Sequence, residues 1–125
     1  MDIRSNLHYT KTHEWLHKKN ELYRIGISDY AQDTLTDIVF VELPSVGATV
    51  KKGDTLATLE SVKSVAEVYS PLSGTIENVN QKLNDDPGLV NSSPYDEGWL
   101  IEIKADNENE AKDFLSSDEY IKMLE

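Results

Sequence analysis

Two stretches of this 125-residue chain hold side chains able to do chemistry. The first is "HEWLH", His13 to His17. Its H-E-x-x-H spacing, on a helix, puts two imidazoles on one face to bind zinc and leaves the glutamate as general base. The second is "ESVKSVAEVYSPLSG", Glu60 to Gly74, in which Lys63 sits among serines and β-branched residues. Such an amine can be a plain surface charge, a catalytic group, or a point of covalent attachment.

The zinc chemistry needs a helix, and the local pattern predicts a strand. Polar Lys18-Lys19-Asn20-Glu21 follows as a turn, and "ELYRIGI" reads as the returning strand. In extended backbone His13 and His17 stand about 13 Å apart, at ~3.3 Å per residue. One ion, held at ~2.0 Å, cannot be reached by both. A longer zinc-peptidase pattern asks for Gly and His where this chain has Asn20 and Tyr23. The expectation is a strand with exposed imidazoles, Trp15 or Leu16 in the core, and no metal site. The chain also lacks a Gly-rich phosphate loop and a nucleophile-elbow serine. Carboxylate pairs such as Asp85-Asp86 read as solvated turns.

"TLATLESVKSVAEVY" folds naturally as a hairpin about Val62-Lys63. Ser61 then faces Ser64, Glu60 faces Val65, Leu59 faces Ala66, Ala57 faces Val68 and Leu56 faces Tyr69, so apolar residues largely meet apolar ones. Neither loop residue is Gly or Asn, so the expected turn is type I or a slightly longer loop. A catalytic amine needs burial or nearby cations to shed its proton. An exposed tip beside Glu60 offers neither. Spacing alone leaves two readings open, an idle surface charge and a handle.

The remaining elements have to position these groups. Ser28 is placed to cap a short helix over "DYAQDTL", and "DIVFVELP" reads as a strand ending at Pro44. Turns fall at Gly47 and Gly53-Asp54, and a strand at Thr75 to Val79. Residues 81 to 98 read as an irregular link with one helical turn near Leu83, and "WLIEIK" as the last strand. Asn107 with Glu110, and Ser116 with Glu119, are capping-box pairs that predict two short C-terminal helices. Tyr120, Met123 and Leu124 share a face of the second. These helices are expected to cover an open end of the sheet. "VGATVKKGD" and "LSGTIENVN" hint at two similar β-halves without making a repeat.

The formal charge of −11 argues against nucleic acid or an anionic membrane as partner. With no cysteine there is no disulfide, thiolate nucleophile or zinc-thiolate site. No apolar run is long enough to span a bilayer, and the N-terminus has no signal-peptide core. An intracellular protein is expected: cytoplasmic in a bacterium, or in the mitochondrial matrix as a mature organellar form.

"ESVKSVAEVYSPLSG" resembles the lipoyl-lysine hairpin of the glycine cleavage system H-protein family. "THEWL", "IGISDYAQDTL", "DIVFVELPSVG", "GLVNSSPYDEGWLIEIK" and the helical tail resemble it too, in order, over about Leu7 to Leu124. The resemblance implies a mainly β, lipoyl-domain-like barrel-sandwich hybrid with short α-helices, two of them C-terminal. It implies one carrier domain over 1–125, with a β core of about 7–104 and helices of about 107–124. Lys63 would carry lipoic acid in amide linkage on a protein that is a carrier, not an enzyme. Its partners would be the glycine decarboxylase (P-protein), the aminomethyltransferase (T-protein), dihydrolipoamide dehydrogenase (L-protein) and lipoyl-attaching enzymes. It is expected to be monomeric. A relay donating lipoyl or octanoyl groups to other enzymes is the alternative within the family. A biotin carrier would show methionines beside the lysine, where this chain has Val62 and Ser64. Glu14 matches the carboxylate that shields the loaded arm in relatives, against the alternative of an exposed strand glutamate. Thr34 stands where some relatives have histidine, and Thr36 where the familiar form has glycine. If that backbone needs positive φ, Thr36 is strained.

Overall fold

The computed structural model describes all residues, Met1–Glu125. Nine strands form two antiparallel sheets. The larger has the order β1 (His8–Tyr9), β2 (Glu14–Lys19), β3 (Leu22–Ile27), β9 (Ile101–Ala105), β8 (Gly74–Val79) and β5 (Thr49–Val50). The smaller is β4 (Ile38–Glu42), β6 (Thr55–Ser61) and β7 (Val65–Tyr69). Four helices join them: α1 (Asp29–Leu35), α2 (Lys82–Asp85), α3 (Leu89–Ser92) and α4 (Ser117–Leu124). This is the mainly β architecture with short helices that the sequence predicts, built as two sheets.

The main core brings together residues from both sheets, among them Leu16, Ile25, Val41, Leu59, Val68 and Ile103. Their alternation along each strand is what turns one face inward. A second cluster gathers Leu7, Tyr9, Trp15, Tyr95 and Tyr120 at the N-terminal edge. Trp15 and Leu16 are both buried, one in each cluster. β2 is therefore covered on both faces. The edge strand β1 is not left open: Tyr9 and Leu115 exchange backbone hydrogen bonds of 2.9 and 2.8 Å. The C-terminal segment thus protects the sheet edge, as such edges require.

"HEWLH" enters and runs along β2, so the helical zinc face does not form. The turn that follows is tighter than the four polar residues suggest. Only Asn20 and Glu21 connect the strands, with Asn20 at φ 59°, a conformation its short polar side chain tolerates. The link at 81–98 is less irregular than expected, since α3 forms there beside α2. Met123 departs from the predicted helical face. Tyr120 and Leu124 pack inward while Met123 stays exposed, because α4 docks over the Tyr9 ring and turns that neighbouring position outward. Ser116 makes its full capping box with Glu119. The Asn107–Glu110 pair does not. Residues Glu108–Asp113 form a 3₁₀ turn in which Asn107 accepts from Asn109, while Glu110 reaches instead to the amide and hydroxyl of Ser73. The two similar segments are neighbours in space: Thr49 pairs with Thr75 and Val50 with Gly74.

At the end of α1, Thr36 has φ 63° and ψ −153°, a region that suits glycine. The expected strain is present. Its hydroxyl is also buried with no partner. Asn91 holds this corner: its amide donates to the Thr36 carbonyl at 2.7 Å, and its oxygen accepts from the Ile38 amide at 2.8 Å.

Two stability outcomes follow from the packing. Thr36→Gly removes strain and an unpaired hydroxyl, worth roughly 1–3 kcal/mol each, against about 1 kcal/mol of added chain entropy. The denaturation midpoint is expected to rise by the equivalent of about 1–5 kcal/mol, and an unchanged midpoint would refute the strain. Gly26 lies opposite Trp15, and a methyl group there would sit 2.6 Å from the indole nitrogen. Since Trp15 is fixed by donating to the Pro94 carbonyl at 3.0 Å, Gly26→Ala is expected to cost about 2 kcal/mol by urea titration.

Candidate functional site

The β6–β7 hairpin follows the predicted pairing from Glu60–Val65 through Ala57–Val68. Beyond that it departs. Tyr69 pairs with Thr55, not Leu56, because a bulge intervenes. The bulge lets the consecutive residues Leu56 and Ala57 both enter the core, which strict alternation forbids.

At the other end, Val62 and Lys63 form the tip, and both are exposed. The turn works without glycine because Ser61 supplies what the backbone lacks. Its amide donates to the Ser64 carbonyl at 2.8 Å. Its Oγ accepts from the amides of Lys63 and Ser64 at 3.2 and 3.0 Å. Neither Val62 nor Lys63 has positive φ, as a type I turn allows. The Val62 amide donates to the Asp37 carbonyl at 3.1 Å. The corner held by Asn91 is therefore tied directly to the tip. Ser61 could have been found from the sequence, since a serine two residues ahead of a turn amide is a known backbone mimic. Asn91 could not, as its partners lie 53 and 55 residues away.

Beside the hairpin lies a cleft of about 280 Å³. Tyr30, Ala31 and Leu35 of α1 form one wall, and Leu59, Ala66 and Val68 of the hairpin form the other. Glu67, four residues past Lys63 and about 13 Å along the strand, also lines it. A larger and more open hollow of about 690 Å³ adjoins the cleft, sharing Thr12 and Glu14 and bounded by Lys52 and Phe114.

Glu14 is buried in the cleft wall, only 3% exposed, and is not the exposed strand glutamate. One carboxylate oxygen accepts from the hydroxyls of Thr10 and Thr12, at 2.7 and 2.6 Å. It forms none of the salt bridges in the molecule. Desolvation accordingly pushes its carboxyl above the ordinary range, with the Thr12 and Thr10 hydroxyls opposing that rise. A buried carboxylate without a cation is a site ready to receive one.

His13 corrects the expectation of an exposed imidazole. It is half-buried, lies against Tyr30 with ring centroids 4.8 Å apart and tilted by 35°, and lines the cleft. His17 lies elsewhere, in hollows with Tyr23 and with Arg24. No three His, Cys, Asp or Glu side chains are grouped to hold a metal ion. Thr34 lines the cleft, where its hydroxyl donates back to the Tyr30 carbonyl at 3.0 Å.

Comparison with known proteins agrees with this arrangement. The family model described as "Glycine cleavage H-protein" matches residues 7–125. A "Glycine cleavage system H protein" of Listeria monocytogenes serotype 4a is 49% identical over 125 residues, covering 100% of both chains. One from Geobacillus kaustophilus is 48% identical over 124 residues, 99% of this chain and 98% of that one. The crystal structure of a glycine cleavage system H protein from Mycobacterium marinum superposes with a TM-score of 0.90 at 34% identity, covering 98% of each chain. The chain belongs to the glycine cleavage H-protein family.

Proposed function

We propose that this chain is the lipoyl-carrying shuttle of the glycine cleavage system, with lipoic acid in amide linkage on Lys63 Nζ. The observation that carries this reading is a pairing of two features. An exposed lysine sits on a turn fixed by hydrogen bonds, and an unpaired buried carboxylate sits in a cleft along the same strand. The residues present fit the group. The tip is open to a modifying enzyme, and the cleft sets apolar walls beside the buried carboxylate of Glu14. Glu67 lies four positions beyond Lys63, about 13 Å along the strand, a span that an extended lysyl side chain lengthened by a lipoyl chain covers. When bound at Lys63, a lipoyl group would supply the sulfur chemistry for carrying the aminomethyl group of glycine between the P-protein and the tetrahydrofolate-dependent T-protein, with the L-protein as the oxidising partner.

This chain's own residues do the holding and sheltering. Ser61 and the Asp37 carbonyl fix the root of the arm. Tyr30, Ala31 and Leu35 keep water from one side of the cleft. Glu14 accepts the ammonium of the cargo, and the two threonine hydroxyls aim its carboxylate. Shielding a labile amine from water in this way is what early release would defeat. Without cysteine, no protein thiol competes for the carrier's disulfide by exchange.

The protein is read as a carrier and not an enzyme, serving the P-, T- and L-proteins and the enzymes that attach lipoyl groups. With bacterial relatives such as those of Listeria and Geobacillus, a cytoplasmic setting is the natural one. No helix is long and apolar enough to cross a membrane. Donation of lipoyl or octanoyl groups to other proteins would use the same lysine and is compatible with the shuttle.

Two measurements test the reading. Intact-mass analysis of protein from its native cell is expected to show one lipoyl group, mapped by fragmentation to Lys63. Lys63→Arg is expected to fold normally yet support no glycine cleavage, since the tip is exposed. Persistent absence of an adduct would end the carrier reading. For Glu14, the folded carboxyl titrates above its unfolded value, so its charge opposes folding once pH rises through that raised value. Glu14→Gln is therefore expected to melt at or above the wild-type temperature at neutral pH, with the difference vanishing below the unfolded pKa of ~4.3. The same variant is expected to lose the loaded group severalfold faster, and an unchanged decay rate would remove Glu14 from the site.

A further inference from the structure

His13 and Glu14 are consecutive, yet both line the cleft. The left-handed backbone of His13, at φ 73°, makes this possible by breaking the alternation that sends neighbours to opposite faces. The imidazole makes a single hydrogen bond. Its Nδ1 lies 2.7 Å from the hydroxyl of Tyr120, which the C-terminal helix carries in from 107 residues away. The same hydroxyl lies 2.7 Å from Ser28 Oγ. Ser28 Oγ also accepts from the Ala31 amide at 3.2 Å, capping α1.

Counting protons fixes the direction of this chain. Tyr120 has one hydroxyl hydrogen and two neighbours. If it donates to Ser28, the Ser28 hydrogen has no acceptor, and that residue is fully buried. An unpaired buried donor costs roughly 1–3 kcal/mol. If Tyr120 donates to His13, Ser28 donates to Tyr120 and neither hydroxyl hydrogen is left without an acceptor. His13 Nδ1 is then an acceptor, and the ring proton sits on Nε2.

We propose that Tyr120 is a positioning residue of the cleft: by accepting from Ser28 and donating to His13, it holds that imidazole neutral, as the Nε2–H tautomer, beside Glu14. The purpose of this device rests on the carrier reading, but its geometry does not. A protonated His13 would be a permanent rival for the adjacent carboxylate, and the ammonium of the cargo would lose its counter-charge. Protonation would also break the hydrogen-bond chain, since Nδ1–H would need Tyr120 as acceptor and one of the two hydroxyl hydrogens, on Tyr120 or Ser28, would lose its partner. Burial works in the same direction and pushes the imidazole below its ordinary range. The titratable groups facing His13 are Tyr30 from α1, Tyr120 from α4 and Glu14 beside it, with Glu67 on the cleft wall. Burial holds Tyr120 itself in the protonated, donating form, its pKa raised to about 12.

The test is nitrogen-15 NMR of the full-length protein labelled at histidine, which distinguishes the two neutral tautomers. Wild-type His13 is expected to be the Nε2–H form at neutral pH. Tyr120→Phe keeps the ring stacked on Tyr9, at 4.4 Å, but removes the hydroxyl. It is expected to abolish the tautomer bias and raise the His13 pKa. Ser28→Ala leaves Tyr120 free to donate and is expected to retain the Nε2–H form. An Nδ1–H tautomer in the wild-type protein overturns the proposal even if neither variant folds. An unchanged tautomer in folded Tyr120→Phe also overturns it. With lipoylated protein, the loaded group is expected to decay severalfold faster in Tyr120→Phe as pH falls below 7. Equal decay at every pH in the two proteins removes the device's purpose. Absence of any adduct at Lys63 would instead sink the carrier reading and leave the tautomer result standing.

Discussion

A carboxylate almost wholly buried, with no cation beside it, is the constraint around which this molecule is arranged. Burying Glu14 costs free energy that ordinary folds avoid. Two threonine hydroxyls reduce the cost but do not remove it, since the carboxyl still titrates high. The turn from Thr10 to Glu14 exists to place those hydroxyls. The Thr10 amide donates to the Glu14 carbonyl at 2.9 Å, and the Glu14 amide donates back to the Thr10 hydroxyl at 3.1 Å. That loop is closed tightly enough to force His13 into a left-handed conformation. The strain is local, and it coincides with the residues that face the cleft, as strain at functional sites often does.

The hairpin obeys the opposite requirement. In the proposed carrier role its tip must stay in water, yet its root must not wander, because a loose root would spread an attached arm over many positions. Ser61 bonds within the turn and the carbonyl of Asp37, just ahead of β4, accepts from the Val62 amide, so two independent segments fix it. Asn91 then fixes Asp37 through its neighbours Thr36 and Ile38. Thr36 sits at this corner in a backbone conformation that suits glycine. The backbone keeps the glycine-like conformation and carries the strain. The corner's shape is set by Asn91 and the hairpin, and the residue conforms.

Much of this was legible in the sequence, for identifiable reasons. The hairpin register could be read because apolar residues recur at a period of two. The α4 cap could be read because Ser116 and Glu119 are three apart, and the helical zinc motif could be set aside from the strand that follows it. The bulge at Leu56 was hidden, because two adjacent apolar residues look the same whether one or both are buried. Glu110 was misread because a long-range acceptor role at Ser73 outcompeted a local cap, and only tertiary structure reveals the competitor. Lys63 was visible as an exposed lysine, but only family resemblance distinguished a handle from an idle charge. His13 was misjudged because its burial depends on Tyr120, at the far end of the chain.

The origins of the cleft residues suggest why the fold is larger than a bare pair of hairpins. The lysine and part of the apolar wall come from β6 and β7. The acid, its threonines and His13 come from the N-terminal turn, the opposite wall from α1, and the group that orients His13 from α4. Presenting an arm requires only the hairpin. Sheltering a cation requires a buried charge, and a buried charge requires second partners to hold it and to keep rivals neutral. Those partners are contributed by segments at both ends of the chain, which meet where Tyr9 stacks on Tyr120 with rings 3° from parallel. The stacked pair therefore couples closure of the sheet edge to the polar end of the cleft. Loosening the C-terminal helix would expose an edge strand and disorient His13 together, so stability and shelter are joined in one contact.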